Sequence, residues 1–327
     1  FKMGLVFFFA LSLLIGIVTS TQPVNEHRAK TVKKFSNSDS SNSESTATNS
    51  ESTITGSDST ATVNSDPAPA SFDADRALDH IRYVSGTIGP RPAGGKNERL
   101  VSEYVKEKLG ECGYDAAIQK LVLPNGQHSY NVVASLPGRD EKSIILGAHI
   151  DSRGGPGAND NASGVGVLLE LARVASSRTD LPYSLHFVFF GAEEKVGKDA
   201  RDHHFGSRHY VYHMSGEQKN TTFAMVNIDM VGVGSKLYAR SLKAEPGPIA
   251  NNLLKLADDL NIKLSYKQAG DIADFEAFEH SGIDSAWLEW REDPNYHSPK
   301  DTHDKISRSD LISAGVLLQE FLLRGQR

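Results

Sequence analysis

Acids and histidines recur in this chain at the ends of short apolar runs. The run 144–150 (IILGAHI) leads into Asp151, and the run 185–190 (LHFVFF) leads through Gly-Ala into Glu193-Glu194. Both runs are rich in β-branched and aromatic residues and read as buried strands. In an open α/β sheet the ligand crevice lies beyond the strand ends, so His149, Asp151, Asp160, Glu193 and Glu194 can converge although they are scattered in sequence. Asp229, after Val-Asn-Ile, and His297, after Tyr296, extend the set. Imidazoles and carboxylates without thiolates suit zinc rather than calcium, and five ligands with a bridging acid fit two metals better than one.

His149 and Asp151 lie two apart and share a face on a continuing strand, so one can bind metal while the other orients the imidazole. Asp160 sits in GANDNASG, a turn of small residues before a helix, where a carboxylate is presented with little steric cover. Standing alone, Asp160 or Asn161 would read as the cap of that helix. Two adjacent carboxylates at a strand end repel unless a cation or a shared proton stabilises them. In the Glu193-Glu194 pair one acid can ligate while its neighbour acts as general base. His203 and His204, in an apparent insertion after Glu194, read as solvated loop residues.

The elements that must position these groups follow from periodicity. A helix is expected over 74–84 and another over 97–110, then strands over 117–123 and 130–136 joined by a turn containing Asn125-Gly126. Val165, Leu168, Leu169 and Ala172 recur at helical spacing between the two motif strands, which makes a β-α-β unit. A strand over 223–231, a helix over 249–260, a strand over 285–289 and a closing helix over 309–323 complete an alternation that predicts a three-layer α/β domain with a largely parallel sheet.

The stretches GAHIDS, GANDNASGVGVLLELAR, FFGAEE, NIDMVG and YHSPKDTHDKI, in this order, resemble the co-catalytic di-zinc aminopeptidases of the aminopeptidase Y and aminopeptidase S type. The resemblance covers about residue 73 to the C-terminus. It implies the α/β/α zinc-exopeptidase (phosphorylase/hydrolase-like) fold, with a mixed, mostly parallel central sheet flanked by helices, and two zinc ions. By that likeness His149 and Asp229 would hold one zinc, Glu194 and His297 the other, and Asp160 would bridge them. Glu193 would be the general base, Asp151 the orienter of His149, and Tyr296 a donor to the developing oxyanion. A cis peptide bond between Asp160 and Asn161 is also implied. Where many relatives read Arg-Ser-Asp-His-x-x-Phe, residues 269–275 read Ala-Gly-Asp-Ile-Ala-Asp-Phe, keeping Asp271 and Phe275 but not the basic and histidine positions. Asp271, Phe275 and Trp287 are the expected substrate-binding residues, with core packing the other reading of Trp287.

The implied activity is removal of N-terminal residues from peptides. A carboxypeptidase or dipeptidase of the same superfamily is the nearest rival, followed by a one-zinc glutaminyl cyclase and an inactive binding scaffold. A net charge of -6 shows no polybasic surface, so nucleic acid is not an expected partner. The lone cysteine, Cys112, leaves no intramolecular disulfide and excludes thiolate-rich zinc sites. Residues 4–19 form an uncharged apolar run after Lys2, expected to be a secretory signal peptide or a membrane tether. Residues 36–66, mostly Ser and Thr with scattered Asn, Asp and Glu, read as a disordered linker or pro-region. The expected organisation is therefore 1–21 signal or anchor, 22–70 linker and 71–327 peptidase domain, in a monomer that is secreted, periplasmic or held at the cell surface.

Overall fold

The computed structural model describes residues 70–199 and 201–324. The apolar run 4–19 and the Ser/Thr-rich run 36–66 lie outside the described residues. Helix α1 (Ala74–Ile81) begins after Asp73, whose side chain accepts from the Asp75 N–H and satisfies one otherwise unpaired amide of the first turn. The expected helix over 74–84 passes into a wider turn of π type, Arg82–Ile88. Helix α2 (Lys96–Glu111) follows, with the partly buried Cys112 at its end packed against the core. Strands β1 (Ala117–Val122) and β2 (His128–Leu136) form the expected hairpin, turned through Gly126 at a φ of 80°.

Strand β3 (Asp140–His149), helix α3 (Ser163–Ser176) and strand β4 (Tyr183–Phe190) make the β-α-β unit, with β3 and β4 parallel. The chain continues through α4 (Phe205–His213), α5 (Gly216–Thr221), β5 (Thr222–Ile228), β6 (Lys236–Ser241), α6 (Pro248–Asp259), β7 (Leu264–Gln268), α7 (Phe275–His280), β8 (Ser285–Arg291) and α8 (Arg308–Arg324). One mixed sheet runs β1-β2-β4-β3-β5-β8-β6-β7. Its centre, β4-β3-β5-β8, is parallel throughout, whereas β1, β2 and the β8–β6 pairing are antiparallel. Beyond that pairing, β6 and β7 again run parallel.

Alternate residues of β3 point into opposite layers, as a two-residue period requires. Ile144, Leu146 and Ala148 join the larger core with α1, α2, α3, α6 and α8, while Ile145 joins Val188, Phe190, Tyr210 and Phe278 under α4 and α7. Burial on both faces is why these strands are continuously apolar, and it confirms the α/β/α layering. Gly147 is needed there: a Cβ at this position would lie 2.3 Å from the Phe190 ring. β5 stops at Ile228 instead of reaching residue 231: Asp229 N–H still bonds the Leu288 carbonyl of β8, but Met230 takes a φ of 57° and breaks the extended backbone. None of the helices among the described residues is long and apolar enough to cross a membrane.

Candidate metal centre

His149 is the last residue of β3 and pairs in register with Phe190, the last of β4. The parallel centre therefore delivers His149, the Gly191–Glu194 turn and Asp229 to the C-terminal ends of its strands. Asp160 comes from the turn before α3, and His297 from the loop after β8. His149 Nε2 lies 3.1 Å from Asp160 Oδ1 and 3.5 Å from Asp229 Oδ1. His297 Nε2 lies 3.0 Å from Asp160 Oδ2 and 2.8 Å from Glu194 Oε1. The two triplets, His149-Asp160-Asp229 and Asp160-Glu194-His297, thus share Asp160, one oxygen facing each.

Each part of this arrangement is held by buried polar groups. Asp151 accepts the Glu193 N–H on Oδ1 and the Glu194 N–H on Oδ2, both at 3.0 Å, and Oδ1 also lies 3.4 Å from His149 Nδ1. Asp301 accepts from Asn159 N–H at 2.7 Å and Asp160 N–H at 3.1 Å. Asn161 Nδ2 donates to the Ile228 carbonyl and its Oδ1 accepts from Gly164 N–H at 2.8 Å, so Asn161 rather than Asp160 serves the helix start. The bond between Asp160 and Asn161 is cis. Arg91, fully buried, donates to the carbonyls of Ile150, Pro156 and Gly157, which closes the loop after β3.

The Gly191–Glu194 turn is gripped from four directions. Glu98, at the start of α2, accepts from Ala192 N–H at 2.9 Å and Ser129 Oγ at 2.6 Å. Asn131 of β2 accepts from Gly191 N–H and donates to the Gly206 carbonyl. Gly206 comes so close that a Cβ there would stand 2.2 Å from the Gly191 carbonyl oxygen. Asp151 and His204 complete the grip, and His204 corrects the solvated-loop expectation. It is 2% exposed, with Nε2 3.1 Å from Glu193 Oε1 and Nδ1 2.8 Å from Glu276 Oε1.

Charge is concentrated in this volume. Asp151, Asp160, Glu193, Glu194, Asp229 and Asp301 are all buried, with the Arg91 guanidinium close by. Burial raises the carboxyl of Glu193 to about 8 and pushes those of Glu194 and Asp229 upward. For Asp160 burial acts the same way, but hydrogen bonds from His149 and His297 outweigh it and hold the group below its usual range. Burial disfavours a charged His297, yet the Asp160 and Glu194 carboxylates overcome this and lift it to about 9. Asp229 Oδ1 and His149 Nδ1 are buried with no hydrogen-bond partner. Protonated acids and imidazoles in such a cluster are groups whose protons a divalent cation can displace. The donors present, imidazole nitrogen and carboxylate oxygen, therefore fit zinc.

The remaining expected residues fall differently. Tyr296 is exposed, its ring stacked on His297 at 3.8 Å between centroids. Burial of its hydroxyl end, with the surrounding carboxylates, pushes the phenol above its ordinary value. Phe275 and Trp287, expected to bind substrate, stack on each other in the smaller core, Phe275 with no exposed surface and Trp287 at 4%. Their apolar bulk is used for packing, and Trp287 Nε1 is spent on the Asp229 carbonyl at 3.3 Å. Asp271 is exposed, paired with His280 at 3.1 Å, and lines a cavity of about 980 Å³ with Arg208 and Glu276. A cavity of about 300 Å³ abuts Glu194 instead, between Pro92, Ser152, Arg153 and Lys195. Arg91, Glu98, Asp301 and His204 went unread as site residues, although Arg91 and Asp301 lie in runs (IGPRPAGG and YHSPKDTHDKI) whose density of Pro, Gly and charge marks a constrained loop.

A sheet covered by helices on both faces, with buried imidazoles and carboxylates gathered at the ends of its parallel strands, is the zinc-exopeptidase fold. The chain belongs to peptidase family M28, whose model matches residues 131–322. Among its relatives, aminopeptidase YwaD of Bacillus subtilis (strain 168) is 34% identical over 231 residues, 65% of this chain and 49% of that protein. Leupeptin-inactivating enzyme 1 of Streptomyces exfoliatus is 32% identical over 174 residues, 51% of this chain and 38% of the relative. The chain thus spans about half the length of these relatives or less. The fold is shared with a zinc aminopeptidase from Bacillus subtilis, BSAP, at a TM-score of 0.70 and 21% identity over 76% of this chain and 93% of that one. It is shared equally with Porphyromonas gingivalis glutaminyl cyclase, at 0.68 and 24% over 77% and 98%.

Proposed function

We propose that the chain is a zinc aminopeptidase that removes N-terminal residues from peptides. The observation that carries this reading is the pair of ligand triplets meeting on Asp160, with Glu193 turned toward the same volume. His149, Asp160 and Asp229 would hold one zinc ion and Asp160, Glu194 and His297 a second. Bound zinc supplies Lewis acidity to a scissile carbonyl and to water.

The protein's own groups do the rest. Glu193, its carboxyl raised by burial to about 8, takes a proton from the attacking water and returns it to the leaving amine. Asp151 fixes the backbone of Glu193 and Glu194 and faces the second nitrogen of His149, which orients both the base and the imidazole. Tyr296 keeps its proton and donates it as a hydrogen bond to the oxyanion. The buried acids favour a cationic substrate group, and a free α-amine is the cation a peptide brings to its own first bond. The relatives named as aminopeptidases support the same substrate end.

The test is hydrolysis of paired free and N-acetylated aminoacyl-amides by the zinc-loaded chain, with a chelator control and an N-terminal glutaminyl peptide. Chelator-sensitive cleavage of free-amine substrates alone is expected. Cleavage of blocked substrates, or cyclisation of the glutaminyl peptide without hydrolysis, sinks the reading. The apolar run 4–19 supports export or a membrane tether for the peptidase domain of residues 71–327; recovery of the expressed chain solely in the cytosol would rule this out.

A further inference from the structure

Glu193 is held by His204 at two points. The His204 N–H donates to the Glu193 carbonyl at 2.8 Å, and the next amide, Phe205 N–H, donates to the Ala192 carbonyl at 2.9 Å. The side chain then turns back, so that Nε2 stands 3.1 Å from Glu193 Oε1. This return is possible because His204 adopts a left-handed backbone, φ 55°, at the start of α4, and histidine is among the residues that tolerate it. Close packing of Gly206 on Gly191 fixes how near α4 can come.

The other face of the imidazole is backed by α7. Nδ1 is 2.8 Å from Glu276 Oε1, an ion-pair distance off the hydrogen-bonding axis. The same Glu276 oxygen receives Arg208 from Nε at 3.1 Å and from Nη2. The guanidinium on Glu276 makes the His203-His204-Glu276 group a poor cation site, although its ligand atoms are close enough for one. Asp274, buried at the start of α7, adds a third negative charge acting on His204.

We infer that His204 is a positioning residue for the general base, holding the Glu193 carboxylate through Nε2 while Glu276 and Arg208 fix the imidazole from behind. This rests on Glu193 being the base. A free glutamate side chain samples several rotamers, and a base displaced by about 1 Å loses on the order of a hundredfold in rate. The contact engages Oε1, so the second carboxylate oxygen is the one that would take the proton from water.

The experiment compares zinc-loaded wild-type chain with His204→Leu, His204→Gln, His204→Asn and Glu193→Gln. It reads kcat and KM on the free-amine substrate, zinc per chain and thermal unfolding. His204→Leu is expected to lower kcat about 10- to 100-fold with KM and zinc content unchanged. Glutamine places its amide nitrogen where Nε2 stands and is expected to restore most of the loss. Asparagine places its nitrogen where Nδ1 stands and is expected not to. Equal kcat in the glutamine and asparagine variants, or wild-type kcat in the leucine variant, overturns the inference, and the amide pair decides if the leucine variant does not fold. Independently of turnover, histidine-labelled zinc-loaded protein should show a slowly exchanging His204 ring N–H in nuclear magnetic resonance spectra; a freely exchanging one also overturns it. An active Glu193→Gln variant would instead remove the base assignment itself.

Discussion

Glu193 and Glu194 are adjacent, both buried and both raised in pKa, yet they face different partners. Glu194 meets His297 at 2.8 Å and Glu193 meets His204 at 3.1 Å. Consecutive side chains at a sharp turn diverge, and Ala192 with a φ of 49° makes the turn sharp. The division of labour proposed for them predicts that Glu193→Gln keeps zinc, because no ligand atom is removed, but lowers kcat by about 10²- to 10⁴-fold, the range of a lost general base. Zinc analysis beside steady-state kinetics checks it, and near-normal turnover in the variant would refute the role. At this scale the sequence was most readable: His149, Asp160, Glu194, Asp229 and His297 come together, because each sits at a strand end or in a small-residue turn. His204 was unreadable because its partners, Glu193 and Glu276, lie 11 and 72 positions away in the chain (204 − 193 and 276 − 204) and no local period links them. Phe275 and Trp287 misled because an aromatic beside a motif looks the same whether it lines a crevice or fills a core.

Loops between elements are where the centre gains its rigidity. The Asp301 carboxylate accepts the N–H groups of Asn159 and Asp160, so Asp301→Ala leaves two buried donors unpaired. The expected result is a loss of about 1–3 kcal/mol of stability per orphaned donor at most, and a zinc affinity weakened about 10- to 100-fold. Urea unfolding and competitive zinc titration measure the two effects, and an unchanged affinity would show that the loop is held otherwise. A second prediction belongs to the α1–α2 contact, where His80 Nδ1 lies 2.6 Å from Tyr104 Oη. Burial lowers the His80 imidazole from 6.5 to about 4. Between those values the unfolded chain binds a proton that the native chain refuses, so the contribution of this group is full above pH 6.5 and lost as pH falls toward 4. Partial exposure trims the effect to about 2 kcal/mol. His80→Gln should flatten the pH dependence of the urea midpoint across this window; an unchanged slope would refute it. Among the elements, buried strands were legible as apolar runs, whereas β6 (KLYARS) and β7 (LSYKQ) were not. β7 is the edge strand, without a buried residue, and β6 beside it buries Arg240 and Ser241 with only Leu237 and Ala239 as buried apolar residues, so neither carries an apolar run.

Across the molecule, the buried carboxylates set a limit on how well the fold can do alone. Like charges gathered at the ends of the central strands repel, and a ligand that binds only the native state adds about 2.7 kcal/mol at a hundred times its dissociation constant. Chelation is therefore expected to lower the melting temperature, and zinc to restore it; a melting temperature indifferent to both would argue against a metal in the centre. The α/β/α layering was legible because alternation of strand and helix is a property of the whole string, and the β1–β2 hairpin because its turn is local; the antiparallel β2–β4 and β8–β6 pairings were not, because pairing order is decided by contacts among distant segments. The Gly191–Glu194 turn shows what such distance entails. Glu98, Ser129, Asn131, Asp151, His204 and Gly206 are neighbours in space but far apart along the gene, so they can be inherited intact only together. Chimeras with another family member joined anywhere between residues 98 and 206 would combine holders from two parents, while a joint placed just after residue 206 would pass all six on from one.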